Sequence, residues 1–336
     1  MVSIDEVARA AGVSTATVSR ALSGRGPVSD PTRARVEEAA KHLGYVVSAS
    51  ASSLASGRNR NIGVLVPFVN SWFFSTVLSG TATALQRRGY DITLYTLTAD
   101  RAQRSEILET FLRRQRVDGF IAISIDLGAD EIEGLLEVGL PVIAIGGPTP
   151  GLTALVVDEV SVARLAVDHL VALGHRHIAH IGASPEFDGD FGVATQRRRG
   201  FEQALTDAGI PPADSLFQPG EFTIQGGFRA AQRLLERPDG RPTAIFAASD
   251  EMAIGAILAS REAGFRVPED LSIVGIDGHE LAEFFQLTTV DQFPLRQGER
   301  AAEAILAELE EPAERLARAD LPFELIVRGS TARPPA

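Results

Sequence analysis

Residues 4–22, IDEVARAAGVSTATVSRAL, can fold into little besides two short helices meeting at a tight turn. Ser3 is a good N-cap, and Asp5 and Glu6 place negative charge in the first turn, where the helix dipole favours it. Ile4, Val7, Ala8 and Ala11 fall on one apolar face. Gly12 ends that helix and Ser14 can cap a second. In the second helix Val18, Ala21 and Leu22 share one side, and Ala16 and Arg20 point the other way. Thr17 and Ser19 flank them, with Thr15 at the N-terminal end. A third helix is expected to start near Ser29, Asp30 and Pro31, with Val36, Ala40 and Leu43 as its buried stripe. Three such helices make a small bundle that leaves the second helix free to enter a DNA major groove.

From Ile62 onward, apolar runs alternate with helical patterns. Strands are expected at Ile62–Val66, Ile92–Leu97, Gly119–Ser124, Ala154–Val157, Ile178–Ile181, Ala244–Ala247 and Ser272–Ile276. Helices are expected at Trp72–Arg88, up to Arg114, at Val160–Leu173 and at Ala194–Ala208. Continuous apolar strands separated by helices imply parallel sheets covered on both faces.

Composition narrows the class. A chain of 336 residues is too long for one core and calls for two or three domains. With no cysteine there is no disulfide, thiolate catalysis or cysteine-ligated metal. The N-terminus lacks the apolar stretch of a signal peptide, and no apolar run approaches the ~20 residues that cross a bilayer, so a cytoplasmic location without membrane contact is expected. The net charge of −12 divides unevenly: the first 60 residues carry +3 and the remainder −15. The head is only mildly basic, and an acidic body leaves phosphate contact to the head.

The runs AGVSTATVSRAL, VSDPTRARV and HLGYVVSASASSLASGRNRNIGVLVP resemble the LacI/GalR family of bacterial transcription regulators. So do LVALGHRHIAHIG, AIFAASDEMAIGAI, LSIVGIDG and LTTVDQ, and the resemblance therefore covers nearly the whole chain. It implies an N-terminal three-helix helix-turn-helix domain over residues 1–46, a hinge over 47–60, and an α/β domain over 61–330 like a type I periplasmic binding protein. That domain would have two doubly wound parallel-sheet lobes, the first at about 61–158 and 292–318, the second at about 159–291 and 319–330. The implied partners are near-palindromic double-stranded operator DNA, a second copy of the chain as homodimer, and a small-molecule effector. No cofactor is implied.

Candidate DNA contacts are Ser14, Thr15, Ala16, Thr17 and Arg20, with Tyr45 added by the resemblance. Arg20 can bind guanine bidentately, worth about 1–3 kcal/mol of discrimination. Leu54 matches the hinge leucine that in this family wedges into the minor groove. Ser52 and Ala55 stand where relatives carry cations, so fewer phosphate contacts are expected.

Candidate effector contacts are Trp72, Phe73 and Phe74, whose faces could stack on a ring. The resemblance adds Arg197, Phe222 and Asp277, an arginine facing a carboxylate that suits a polyhydroxylated ligand. A sugar or sugar derivative is expected over a purine. Gly146 and Ser249 replace the Asp and Asn common in relatives, and Asp188 and Asp190 could restore an acidic contact or simply be solvated. His175, His177 and His180 do not share one strand face and lack a completing carboxylate, which argues against a metal site. No nucleophile elbow, P-loop or dinucleotide fingerprint is present, so no enzyme is expected. The competing class is a sugar-binding transport receptor, against which the DNA-reading head argues.

Overall fold

A computed structural model describes residues 2–335 apart from 24–25, 46–56, 98–100, 115, 126, 138, 148, 150, 185–191, 214–215, 238–239 and 312–317. The chain divides into two compact units, Met1–Arg60 and Asn61–Ala336. Of the expected contacts, Leu54, Asp188 and Asp190 lie outside the described residues, as does most of the hinge.

The first unit is three helices, α1 (Ile4–Ala11), α2 (Thr15–Ser23) and α3 (Asp30–Leu43). Ser3 and Glu6 form a reciprocal capping box at the start of α1, which satisfies two backbone N–H groups that have no partner within the helix. Gly12 closes α1 at φ +65°, a conformation that costs glycine little. Val7, Ala8, Ala11, Val18, Ala21, Val36 and Ala40 bury together as the core. Arg33 Nη1 donates to the Ala21 carbonyl at 2.7 Å, tying α3 to the end of α2.

The second unit holds two six-stranded sheets. The first orders its strands β11-β5-β4-β3-β1-β2, from β1 (Asn61–Val66), β2 (Asp91–Thr96), β3 (Gly119–Ile123), β4 (Val142–Gly146), β5 (Thr153–Val156) and β11 (Arg318–Asp320). The second orders them β12-β10-β9-β8-β6-β7, from β6 (Ile178–Gly182), β7 (Phe217–Pro219), β8 (Ala244–Ala247), β9 (Ser272–Asp277), β10 (Thr288–Asp291) and β12 (Glu324–Ile326). Pairing is parallel except between β10 and β12. Central strands such as β3 and β4 are buried at every residue, as their unbroken apolar runs require. Edge strand β2 keeps polar residues and exposed positions.

Helices α4 (Trp72–Arg87), α5 (Arg101–Arg114), α6 (Ala129–Glu137) and α11 (Pro294–Glu310) belong with the first sheet. Helices α7 (Glu159–Ala172), α8 (Val193–Asp207), α9 (Ile224–Leu235) and α10 (Asp250–Glu262) belong with the second. The chain passes between the sheets three times: after β5, after β10, and between Asp320 and Glu324. That last passage falls two residues beyond the boundary expected at 318, because β11 pairs with β5 through Asp320.

Candidate functional site

The exposed side of α2 follows from what the helix buries. With Val18 and Ala21 in the core, Ser14, Thr15, Ala16, Ser19 and Arg20 are left exposed, and Thr17 half-buried. Ser14 Oγ accepts from the Thr17 backbone N–H at 3.2 Å, capping α2, and meets Thr17 Oγ1 at 2.9 Å, which sets the two hydroxyls side by side at the start of the helix. Arg20 Nε donates to the Ala16 carbonyl at 3.1 Å, which lays the guanidinium along the exposed face. Tyr45 is half-buried, its ring packed against the three-helix core. A helix set across its neighbour with small and donor side chains outward can enter a major groove and read base edges.

The second unit encloses a cavity of about 460 Å³ at the C-terminal ends of strands from both sheets. Its walls include Phe68, Phe73 and Phe74 after β1, Ser124 after β3, Phe222 after β7, Ser249 after β8 and Asp277 ending β9. Strand ends of this kind gather loops and helix N-termini around a ligand. Ser249 is the N-cap of α10 and accepts from Met252 N. Gly146 has φ +122°, and a Cβ there would stand 3.3 Å from Ser124, so an aspartate would need a different backbone.

Arg197, expected from sequence, is buried at the cavity wall. Its Nε donates to Glu159 at 2.7 Å, and its Nη1 donates to the Ala248 carbonyl and reaches Asp277 at 3.4 Å. Burial works against its charge, but Glu159 and Asp277 outweigh that and raise its pKa. At Asp277 burial wins: the carboxyl is pushed well above the ordinary aspartate range, and Arg197 only partly offsets this. Gln292 Nε2 donates to the same Asp277 oxygen at 3.0 Å.

Trp72 departs from its expected place. Phe73 and Phe74 line the cavity, but the indole stacks on His279, with ring centroids 4.4 Å apart and planes at 27°. Burial pushes His279 below the usual histidine range, so Trp72 meets a neutral ring. Beside this stack Ser71 Oγ donates to Glu251 at 3.1 Å, a second link between the start of α4 and the other lobe.

Sequence reasoning missed Glu159, Glu221 and Glu251, three carboxylates in the wall. Glu159 and Glu251 sit in first helical turns after the caps Asp158 and Ser249, a signal ordinarily read as helix start alone. Glu221 is held by backbone geometry, with φ +53° there and +52° at Phe222, and nothing in the sequence announces that. His175 and His180 serve packing: His175 bonds Thr243, Ser272 and the Ala332 carbonyl, and His180 lies among Phe201, Phe217 and Phe246.

Residues 3–48 match the model of bacterial regulatory proteins of the lacI family, and residues 167–331 match a periplasmic binding protein-like domain. The chain is 34% identical over 295 residues to catabolite control protein A of Priestia megaterium, covering 87% of each. It is 32% identical over 338 residues to the transcriptional repressor PurR of Mannheimia succiniciproducens, covering 99% of each. Among solved structures it is similar to the lac repressor dimer bound to operator and an anti-inducer, at TM-score 0.85 and 28% identity, covering 98% of this chain and 99% of that one. It is also similar to the regulator CelR in complex with cellobiose, at TM-score 0.70 and 29% identity, covering 98% and 100%.

Proposed function

The chain belongs to the LacI family of bacterial regulatory proteins, and from that premise we propose how its parts act. It is a DNA-binding transcriptional regulator of the repressor type, not an enzyme. Nothing among these relatives supports the transport-receptor alternative. The α2 face of Ser14, Thr15, Ala16, Thr17 and Arg20 docks on operator base pairs, with Arg20 on guanine and the Ser14 and Thr17 hydroxyls on phosphate. Two heads from a homodimer read a near-palindrome, since two-fold protein symmetry calls for two half-sites. The protein acts in the cytoplasm, where its operator is; among the described residues no helix is long and apolar enough to cross a membrane.

The effector is a sugar or sugar derivative held in the cavity. Phe73, Phe74 and Phe222 offer ring faces, and Asp277 with Arg197 offers hydroxyl contacts. CelR, bound to cellobiose, supports the carbohydrate reading. An effector changes operator affinity only through unequal affinity for two lobe arrangements, typically about 1–3 kcal/mol.

One observation carries the DNA reading: Val18 and Ala21 are buried while Thr15, Ala16 and Arg20 on the same helix are exposed. Arg20→Ala is expected to abolish specific operator binding in a gel-shift titration and leave the thermal melt unchanged. Operator affinity equal to the parent's would refute it.

A further inference from the structure

The cavity wall carries more carboxyl groups than cations. Glu159, Glu221, Glu251 and Asp277 line it, against Arg197 and the exposed Arg229. Arg197 is already bonded within the wall to Glu159, Asp277 and the Ala248 carbonyl. That leaves Glu221 and Glu251 without a cation of their own among the described residues.

Glu221 is the sharper case. Its Oε2 is buried and accepts no hydrogen bond among the described residues, and its Oε1 receives only a long one, 3.4 Å from Ser184 N. An unsatisfied buried carboxylate oxygen is expensive and calls for a partner. Here the backbone maintains it, since two consecutive non-glycine residues, Glu221 and Phe222, sit at positive φ. Such conformations gather at ligand clamps, where surrounding structure enforces them. The Gly220 and Glu221 N–H groups both donate to the Gly182 carbonyl, which is the enforcing contact.

Glu251 lines the same cavity. A Cβ on Gly220 would lie 2.8 Å from Met252 Sδ, so the Glu221 segment packs directly on the first turn of α10. Ser71 Oγ is the side-chain donor to Glu251, and burial raises the pKa of that carboxyl. Carboxylates on the wall of one half-enclosed cavity repel an anionic ligand and favour a cation. The aromatic faces of Phe68, Phe73, Phe74 and Phe222 add to this, because ring faces attract ammonium groups.

We propose that the effector is a polyhydroxylated compound bearing an amine, its ammonium drawn by the Glu221 and Glu251 carboxylates of the wall and its hydroxyls on Asp277 and Arg197. This rests on the sugar reading of the cavity and sharpens it: phosphorylated and carboxylated sugars are disfavoured.

The test is calorimetric titration of the full-length protein at pH 7 with matched probes. These are glucosamine, glucose, glucose 6-phosphate and gluconate, with galactosamine beside galactose. The amine member of each set is expected to bind about tenfold tighter than its neutral parent, the size of one hydrogen bond to a charged group, and the anionic members more weakly than the parent. Glu221→Gln is expected to lower amine affinity about tenfold more than neutral affinity, and Glu251→Gln serves as a second variant should the first not fold. A phosphorylated or carboxylated member binding tighter than its parent overturns the proposal, as does an amine preference that survives both substitutions. Neutral sugars that bind with no gain from an amine overturn the charge inference alone. Failure of every probe to bind overturns the sugar reading and this proposal with it.

Discussion

Asp250 opens α10, fully buried behind the cavity wall, and shows how single ionisable groups set the working conditions of this protein. Its Oδ2 accepts from the His279 backbone N–H at 2.8 Å and from Thr289 Oγ1 at 2.9 Å, while its Oδ1 is buried without a partner among the described residues. Burial outweighs those hydrogen bonds and raises the carboxyl to about 6 from an ordinary 3.8. A folded-state pKa above the unfolded one means that the folded protein binds the proton more tightly. The stability from this group is therefore complete below pH 3.8 and is lost as pH rises through about 6. His180 runs the other way in the same range. Its folded pKa is depressed to about 3 by burial, so its contribution is complete above pH 6.5 and falls away as pH drops. A bare stability profile would mix the two, but a variant isolates one. Asp250→Asn keeps an acceptor for His279 N and Thr289 and removes the titration. In urea unfolding across pH, the variant should match its parent near pH 3.5, gain on it through the window between the two Asp250 values, and stay ahead by about 1–3 kcal/mol at neutral pH. A gain that does not change with pH would show that burial of the charge is not the cause.

At the scale of elements, two helix pairs hold the lobes together by backbone contact. In the first lobe a Cβ added at Gly298 would stand 2.0 Å from the Val77 carbonyl oxygen, and one at Gly80 would stand 2.0 Å from the Leu295 carbonyl oxygen. Thr81 Oγ1 hydrogen-bonds across the same seam to the Gly298 carbonyl at 3.3 Å. Helices α4 and α11 therefore sit closer than any side chain at these two positions allows. Gly298→Ala is expected to force them apart and cost at least about 2 kcal/mol, read as a lower midpoint in thermal or urea unfolding. A midpoint at or above the parent's would mean that the seam yields freely. The same glycines mark what a sequence reading reaches and what it does not. Strands such as β1 and β3 were legible because fully buried parallel strands have to be continuously apolar. The α9–α10 and α4–α11 pairings were not, since close packing leaves only glycine and alanine behind, residues that suit many other settings. In the site, Arg197, Phe222, Ser249 and Asp277 carried motif context and could be named. Glu221 could not, because its role depends on a backbone conformation that no local residue preference indicates. Trp72 was placed at the right helix start, but its ring faces His279 because the two lobes meet there, a contact between residues about two hundred positions apart in the chain.

For the whole molecule, association is the property that its operator reading demands and that its surface exposes. Each chain carries one head of net charge +3 on a body of −15, so a single head has few cations with which to hold DNA. Two heads on adjoining half-sites multiply a weak contact into a useful one through effective concentration. The second lobe presents a face suited to joining them. Phe284 is 80% exposed, and Leu281 and Leu258 are more than a third exposed, unusual for large apolar side chains. Arg261 lies over the Phe285 ring at 5.6 Å, which sets the C-terminal half of α10 beside the turn that carries Leu281 and Phe284. On this reading the face pairs with its own copy across a two-fold axis, where each Phe284 would leave water. Phe284→Asp puts a charge at that centre and, by symmetry, puts it there twice. Sedimentation velocity should then show a monomer at concentrations where the parent is a dimer. Operator affinity in gel shift should fall by at least about tenfold, since one head must then bind alone. The cavity lies within a single chain, so thermal stabilisation by any sugar that binds there should persist in the monomer. A variant that stays dimeric would move the interface elsewhere, and one that turns monomeric yet keeps full operator affinity would remove the need for paired half-sites.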